Sequence, residues 1–360
     1  MDLTRPQKEL DATLDSYRRV GDDLGDGVVA ELISAGALRK NGGDLVSAAE
    51  THAKAGGTAC AALLEQAFTV PSWVRFPDMR AGTQLGLRTP VQSALSLILG
   101  SLLETYGAAN GAKVLIRGGM LKDHVLQRLR DTNTFVLEIA ASRGPMPGTR
   151  AHRHILRTRL VHAFIRHGML KRGDWNFDWG HPINQEDSAS TLLAFCHVYL
   201  RSMVRIGATP TEEEEHSLHH LWRWVGYVMG IVPDLITRDR AEEQLLYAHI
   251  TRRQLHPDDD SRVLAKSLID ALAGRRPTFL PGNALSALAR RMLGDEFSDQ
   301  LGLTPSRAWT TVTNALPLFS RAQLRVEKVP FTRFPLEHLG ERVARLVYEH
   351  GFVTNVAPPG

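Results

Sequence analysis

The sequence predicts an all-α protein, and three observations carry that reading. Apolar residues recur at the three-and-four spacing of an amphipathic helix through most of the chain. Alternating apolar and polar runs closed by hairpin turns, the mark of half-buried strands, are hard to find. The Gly- and Pro-rich breaks at 56–57, 70–90, 143–148 and 275–282 have the length of loops, not of linkers between domains.

Taken in order, the periodicity predicts helices over 5–20, 23–34, 45–53, 60–68, 91–106, 122–140, 149–167, 184–205, 210–229, 240–251, 259–273, 283–293 and 305–316. The N-terminal segment carries acids throughout and no apolar h-region, so it reads as neither a signal nor a transit peptide. Residues 91–103 form the most apolar window, but Gln92, Ser93 and Ser96 interrupt it and it falls short of the roughly 20 residues a membrane span needs. Asn184 is placed to cap the helix that follows it, with Asp187 at its third position. Thr209, Pro210 and Glu212 read as N-cap, first and third residues of the next, and Glu213, Glu214 and Glu215 complement its dipole.

With 360 residues and 43% hydrophobic content the chain buries a large core, which excludes a disordered protein. The net charge of +4 is spread among 39 acidic residues, with no basic stripe interleaved with aromatics, so no nucleic-acid partner is expected. Two cysteines, Cys60 and Cys196, make no disulfide framework and suit a reducing compartment. A protein of the cytoplasm without a membrane span is the expectation.

The segment TRLVHAFIR carries the chemistry. It places Arg159, His162 and Arg166 on one helical face, an imidazole between two permanent cations. Such neighbours lower an imidazole's pKa, freeing a nitrogen for a metal, while guanidinium groups suit a ligand's carboxylates. Haem offers both iron and carboxylates, and without a C-x-x-C-H motif it would be non-covalent haem b. A packed, hydrogen-bonded core histidine explains the same residues. A second constellation, QRLRDTNTF, sets Arg128, Asp131 and Thr132 on a shared face, either as an ion pair with a back-bonded hydroxyl or as donors to bound oxygen or substrate. Glu212, His216 and His220, with His219, have the spacing of a non-haem metal site, though capping accounts for the acid.

The pattern Arg128-Leu129-Arg130-Asp131-Thr132 followed by Arg159-Leu160-Val161-His162-Ala163-Phe164-Ile165-Arg166 resembles the haem-dependent oxygenase family of latex clearing protein and the mycophenolic-acid-pathway oxygenase. Further echoes are Val70-Pro71-Ser72-Trp73-Val74, Pro182-Ile183-Asn184-Gln185 with Asp187 and Thr191, and Trp222 to Tyr227 with Gly230, so that the likeness runs over 70–235. The resemblance implies one helical domain over 1–360, with a globin-like helical core around a haem pocket. It implies His162 as proximal iron ligand, Arg159 and Arg166 as the arginines securing that helix and the haem, and Arg128 and Thr132 as the polar pair at the pocket. The implied activity is oxidation of a small apolar substrate, isoprenoid or another alkene, with O2; a non-catalytic haem sensor or carrier is the alternative. Two departures stand out. Asp131 replaces the lysine of rubber-cleaving members, and the position of their proposed catalytic glutamate falls near Ala112, leaving Glu104 and Glu138 as substitutes.

Overall fold

A computed structural model describes residues 1–327 except 4, 41–42, 119–124, 141–143 and 276–277. The described residues are helical and contain no strand; the one extended pairing is a lone bridge between Ala108 and Leu255. No described helix is long and apolar enough to cross a membrane. The chain gathers into two compact units, each woven from three separate stretches of sequence. That interleaving is why no linker is legible along the chain.

The first unit comprises Met1–Arg80, Ala141–Leu192 and His219–Arg253. Its centre is the Arg150–Arg172 helix, packed by the helices Asp23–Ser34 and Leu45–Lys54, with Thr58–Phe68 against both of the latter. Val28, Leu32, Ala48, Leu63, Ile155, Leu156 and Leu160 are buried there, each large aliphatic contributing about 1.5–3 kcal/mol by leaving water. Helix starts are fixed by side chains. Asp44 accepts from the amides of Val46 (3.1 Å) and Ser47 (3.4 Å), and Thr149 Oγ1 accepts from that of His152 (3.2 Å). Trp224, wholly buried, donates from Nε1 to the Pro145 carbonyl at 2.7 Å.

The second unit comprises Ala81–Ala140, Leu193–Leu218 and Gln254–Gly360. Leu99, Leu103, Leu264, Leu268, Leu285 and Met292 lie in its core. Two of its helical runs contain π-helical stretches, Ser96–Leu102 and Ala194–Val198, and Ser101 Oγ donates to the Ala194 carbonyl at 2.7 Å, tying one to the other. The predicted helices 91–106 and 184–205 are thus each interrupted by a wider turn, a local change that leaves the apolar pattern almost unaltered.

Elsewhere the structure corrects the sequence reading. Residues 70–90, taken as loop, contain a helix, Arg80–Arg88. Ala109–Arg117 is also helical, although Asn110 and Gly111 weaken its local preference. The predicted cap at Thr209 moves two residues on: the helix is Glu212–Val228, and Thr211 and Glu214 form the reciprocal box, with Thr211 N to Glu214 Oε2 at 2.8 Å and Glu214 N to Thr211 Oγ1 at 3.2 Å. Arg88 also binds Glu214, at 2.6 Å.

Candidate cofactor site

Arg159 and Arg166 are each only 2% exposed, and a guanidinium so placed requires a counter-charge. The start of the Asp23–Ser34 helix supplies both. Asp22 receives Arg159 Nε at 2.7 Å and Nη2 at 2.8 Å, a fork-to-fork pair. Asp26, one turn later, receives Arg166 Nε at 2.8 and 2.9 Å. Both carboxylates therefore also sit at the positive end of a helix dipole.

Other donors are taken as well, though buried Arg166 Nη2 has only its charge contact with Asp26, at 2.7 Å, and no hydrogen bond. Arg159 Nη1 bonds Gln66 Oε1 (2.6 Å) and the Val228 carbonyl (3.0 Å). Arg166 Nη1 bonds the carbonyl of Ile183, a β-branched residue held at φ 51°, a strained conformation. Gln185 Nε2 donates to the carbonyls of Gly21 (2.8 Å) and Gly230 (3.0 Å). Gly230 has φ 80°, and a Cβ there would lie 2.6 Å from Arg159 Cζ, so glycine is required twice over. The segments around Ile183 and Gly230, scattered echoes in the sequence, are thus wired to the two arginines. The sequence suggested that these arginines hold a ligand's carboxylates; in the structure aspartates of the protein occupy them, and what they secure is the helix.

His162, between them, is half-buried and makes no hydrogen bond among the described residues. Burial pushes its imidazole down to about 4, Arg166 adds to the effect and Asp22 opposes it. The ring is therefore neutral at pH 7, with its nitrogens unengaged. Beside it on the helix, Val161 and Phe164 are 36% and 44% exposed. A neutral imidazole without a hydrogen bond among the described residues, flanked by accessible apolar side chains, has the donor and the surroundings of a haem ligand site.

Arg128 and Thr132 belong to the second unit, on the Val125–Ile139 helix. Arg128 Nη2 donates to the hydroxyl of buried Tyr106 at 3.3 Å, and Nη1 is buried without a hydrogen-bond partner. The expected pairing with Asp131 is absent: that carboxylate accepts from Gln127 Nε2 at 2.9 Å. Thr132 is exposed, and the back-bonded hydroxyl is that of Thr134, to the Arg130 carbonyl at 2.9 Å. Of the substitute carboxylates, Glu104 is buried and ion-paired with Arg201 and Glu138 is half-buried on the Val125–Ile139 helix; Ala112, at the position of the missing glutamate, is a buried helix residue.

The other metal-like cluster has protein partners instead. His219 is buried and bonds Thr237 Oγ1 at 3.0 Å, and His220 Nε2 accepts from the Arg75 amide at 3.0 Å. Among the described residues no group of three or more His, Cys, Asp or Glu is placed to hold a metal ion. Trp175 is buried, donates to the Gly180 carbonyl at 2.9 Å and meets Trp179 edge-on, whereas Phe177 is 64% exposed. Sequence reasoning missed Asp22, Asp26, Gln66 and Tyr106; the only local hint was an aspartate pair one turn apart at a helix start.

Comparison with known proteins gives first the class. The chain shares its fold with latex clearing protein in the closed state, with a TM-score of 0.74 over 96% of this chain and 95% of that one, at 18% identity. The described residues of this chain give that shared fold as all-helical. A family model described as "ER-bound oxygenase mpaB/B'/Rubber oxygenase, catalytic domain" matches residues 83–322, two thirds of the chain, and the protein belongs to that family. Among curated proteins none matches.

Proposed function

We propose that the protein is a haem b-dependent oxygenase that uses O2 to oxidise a small apolar substrate, of which an isoprenoid or other alkene is the favoured kind. The observation that carries this is His162: a neutral imidazole with no hydrogen-bond partner among the described residues, on a helix clamped by the ion pairs of two buried arginines and bordered by exposed Val161 and Phe164. When bound, haem supplies the O2 chemistry. The protein's part is to hold and orient. Arg159 and Arg166 fix the helix, so that the ligand nitrogen is presented in one direction. Val161 and Phe164 offer an apolar face that excludes water. To Arg128 we assign the donation of a hydrogen bond, from its unpartnered Nη1, to an oxygen of the reactants, and to Thr132 a second such contact.

Replacing His162 with alanine tests the reading. The variant should fold and lose stoichiometric haem; an unchanged Soret absorbance per protein would overturn the assignment. The second reading, a haem carrier or sensor, is favoured by one observation: Glu104 is committed to Arg201 and so is not a free base. Ferrous protein given O2 and alkenes separates the two, since a carrier yields an oxygenated or autoxidised species and no product.

A further inference from the structure

Arg128 differs from Arg159, Arg166 and Arg201 in what holds it. Those three each meet a carboxylate, whereas Arg128 forms no ion pair among the described residues. It is half-buried, and its Nη2 donates to the Tyr106 hydroxyl at 3.3 Å while its Cζ lies 5.7 Å from the centre of the Tyr106 ring. Burial raises the pKa of the Tyr106 phenol, with Arg128 opposing, so this partner is uncharged at pH 7. A neutral partner fixes a guanidinium without cancelling its charge.

Tyr106 itself has little room to move. It is 2% exposed, in the same apolar core as Leu99, Leu103 and Leu129, the last of these adjacent to Arg128 in the chain. Next comes Gly107, where an added Cβ would lie 2.3 Å from Phe297 Cζ, so the backbone beside Tyr106 is pressed against the Asp295–Gln300 helix. Val125 and Leu129, each 3% exposed, anchor the Arg128 helix in that core. What this leaves free is the long Arg128 stem, and the Tyr106 hydroxyl ties down its end. A donor fixed beforehand does not lose its rotamer freedom when the reactants arrive.

We infer that Tyr106 is a positioning residue for Arg128: it holds the guanidinium so that buried Nη1, which has no hydrogen-bond partner, is presented to an oxygen of the reactants. The inference rests on the role proposed above for Arg128. The test takes haem-loaded protein, reduces it and adds carbon monoxide, whose C–O stretch falls when a donor or a positive charge faces it. Arg128→Ala should raise that stretch. Tyr106→Phe keeps the ring and removes only the hydroxyl; it should move the band in the same direction, by part or all of that shift, and broaden it as the guanidinium samples several positions. Leu285→Ala, which opens a cavity elsewhere in the same core, should lower the melting temperature and leave the band in place. An unmoved band in Y106F beside a raised one in R128A would overturn the inference and leave the role of Arg128 standing. So would an equal displacement in L285A, the mark of a merely structural effect. An unmoved band in R128A, or a wild-type protein that takes up no haem, would overturn that role and the inference together. Should Y106F not fold, Tyr106→Leu takes its place, with a raised band supporting the inference and an unmoved one opposing it.

Discussion

Arg159 and Asp22 meet fork to fork, Nε to Oδ2 at 2.7 Å and Nη2 to Oδ1 at 2.8 Å, with the arginine side chain almost wholly out of water. Together with Gln66 and the Val228 carbonyl, this pair joins three stretches of the first unit that are far apart in sequence. The consequence is that Arg159 is a structural keystone before it is anything else.

Truncation of Arg159 to alanine leaves Asp22, Gln66 and a carbonyl without their donor. The expected loss is about 3–5 kcal/mol, read as a lower urea midpoint, the cost of breaking one side of a buried pair. Arg159→Lys should recover less than half of it, because an ammonium cannot reproduce the planar fork.

Acid should weaken the fold in a defined window. Burial, opposed by Glu243, holds the His219 imidazole at about 4, well under its ordinary 6.5. Its contact with Glu243 at 3.9 Å is thus not an ion pair at neutral pH. Between those values the unfolded chain binds the proton and the folded one does not, so stability is full above about 6.5 and falls as pH drops toward 4. His162 acts in the same direction. Chemical denaturation across this range should show the decline, and His219→Gln should make it shallower.

Gly82 lies where the Arg80–Arg88 helix crosses the backbone of the Glu212–Val228 helix. A Cβ there would be 2.5 Å from Leu218 N and 2.6 Å from its Cα, and the Gly82 amide donates to Ser217 Oγ at 2.7 Å. Gly82→Ala should therefore cost about 3 kcal/mol by overpacking, visible in the melting temperature. The same substitution at Gly168, which faces open space on its helix, should be neutral or slightly stabilising.

Arg128→Ala should lower turnover by on the order of a hundredfold, the usual effect of removing a preorganised donor. Haem content per protein, measured as pyridine haemochrome, should stay at the wild-type level, which would separate a role at the reactants from one in retaining the cofactor.

Much of this was legible in the sequence and some was not, for physical reasons. The helix Asp23–Ser34 and the one bearing His162 show their apolar periodicity openly, and the arginine spacing alone places the imidazole between two cations. The partners of those arginines lie 137 and 140 positions away, and nothing local in a sequence records such a pairing. The Arg80–Arg88 helix was hidden by its glycines, poor helix formers that read as loop; Gly82 is there because a neighbouring backbone leaves no room for a side chain. The cap of the Glu212–Val228 helix was misplaced because Thr209 and Thr211 both stand three residues ahead of a glutamate. Asp131 looked like the partner of Arg128 by spacing, yet Gln127, one turn before it, takes the carboxylate.

The wide turn at Ser96–Leu102 has one further implication, for lengths and not for composition. A π-turn absorbs an extra residue, and each residue advances an α-helix by about 100°. Because the wider turn takes up that residue, deleting one there would restore an even α-helix and leave the following turn near its present phase. Glu104 would then keep Arg201, and Tyr106 would keep Arg128. The surplus residue is thus contained locally, and a one-residue deletion within this stretch should be tolerated far better than one in the α-helical turns beside it.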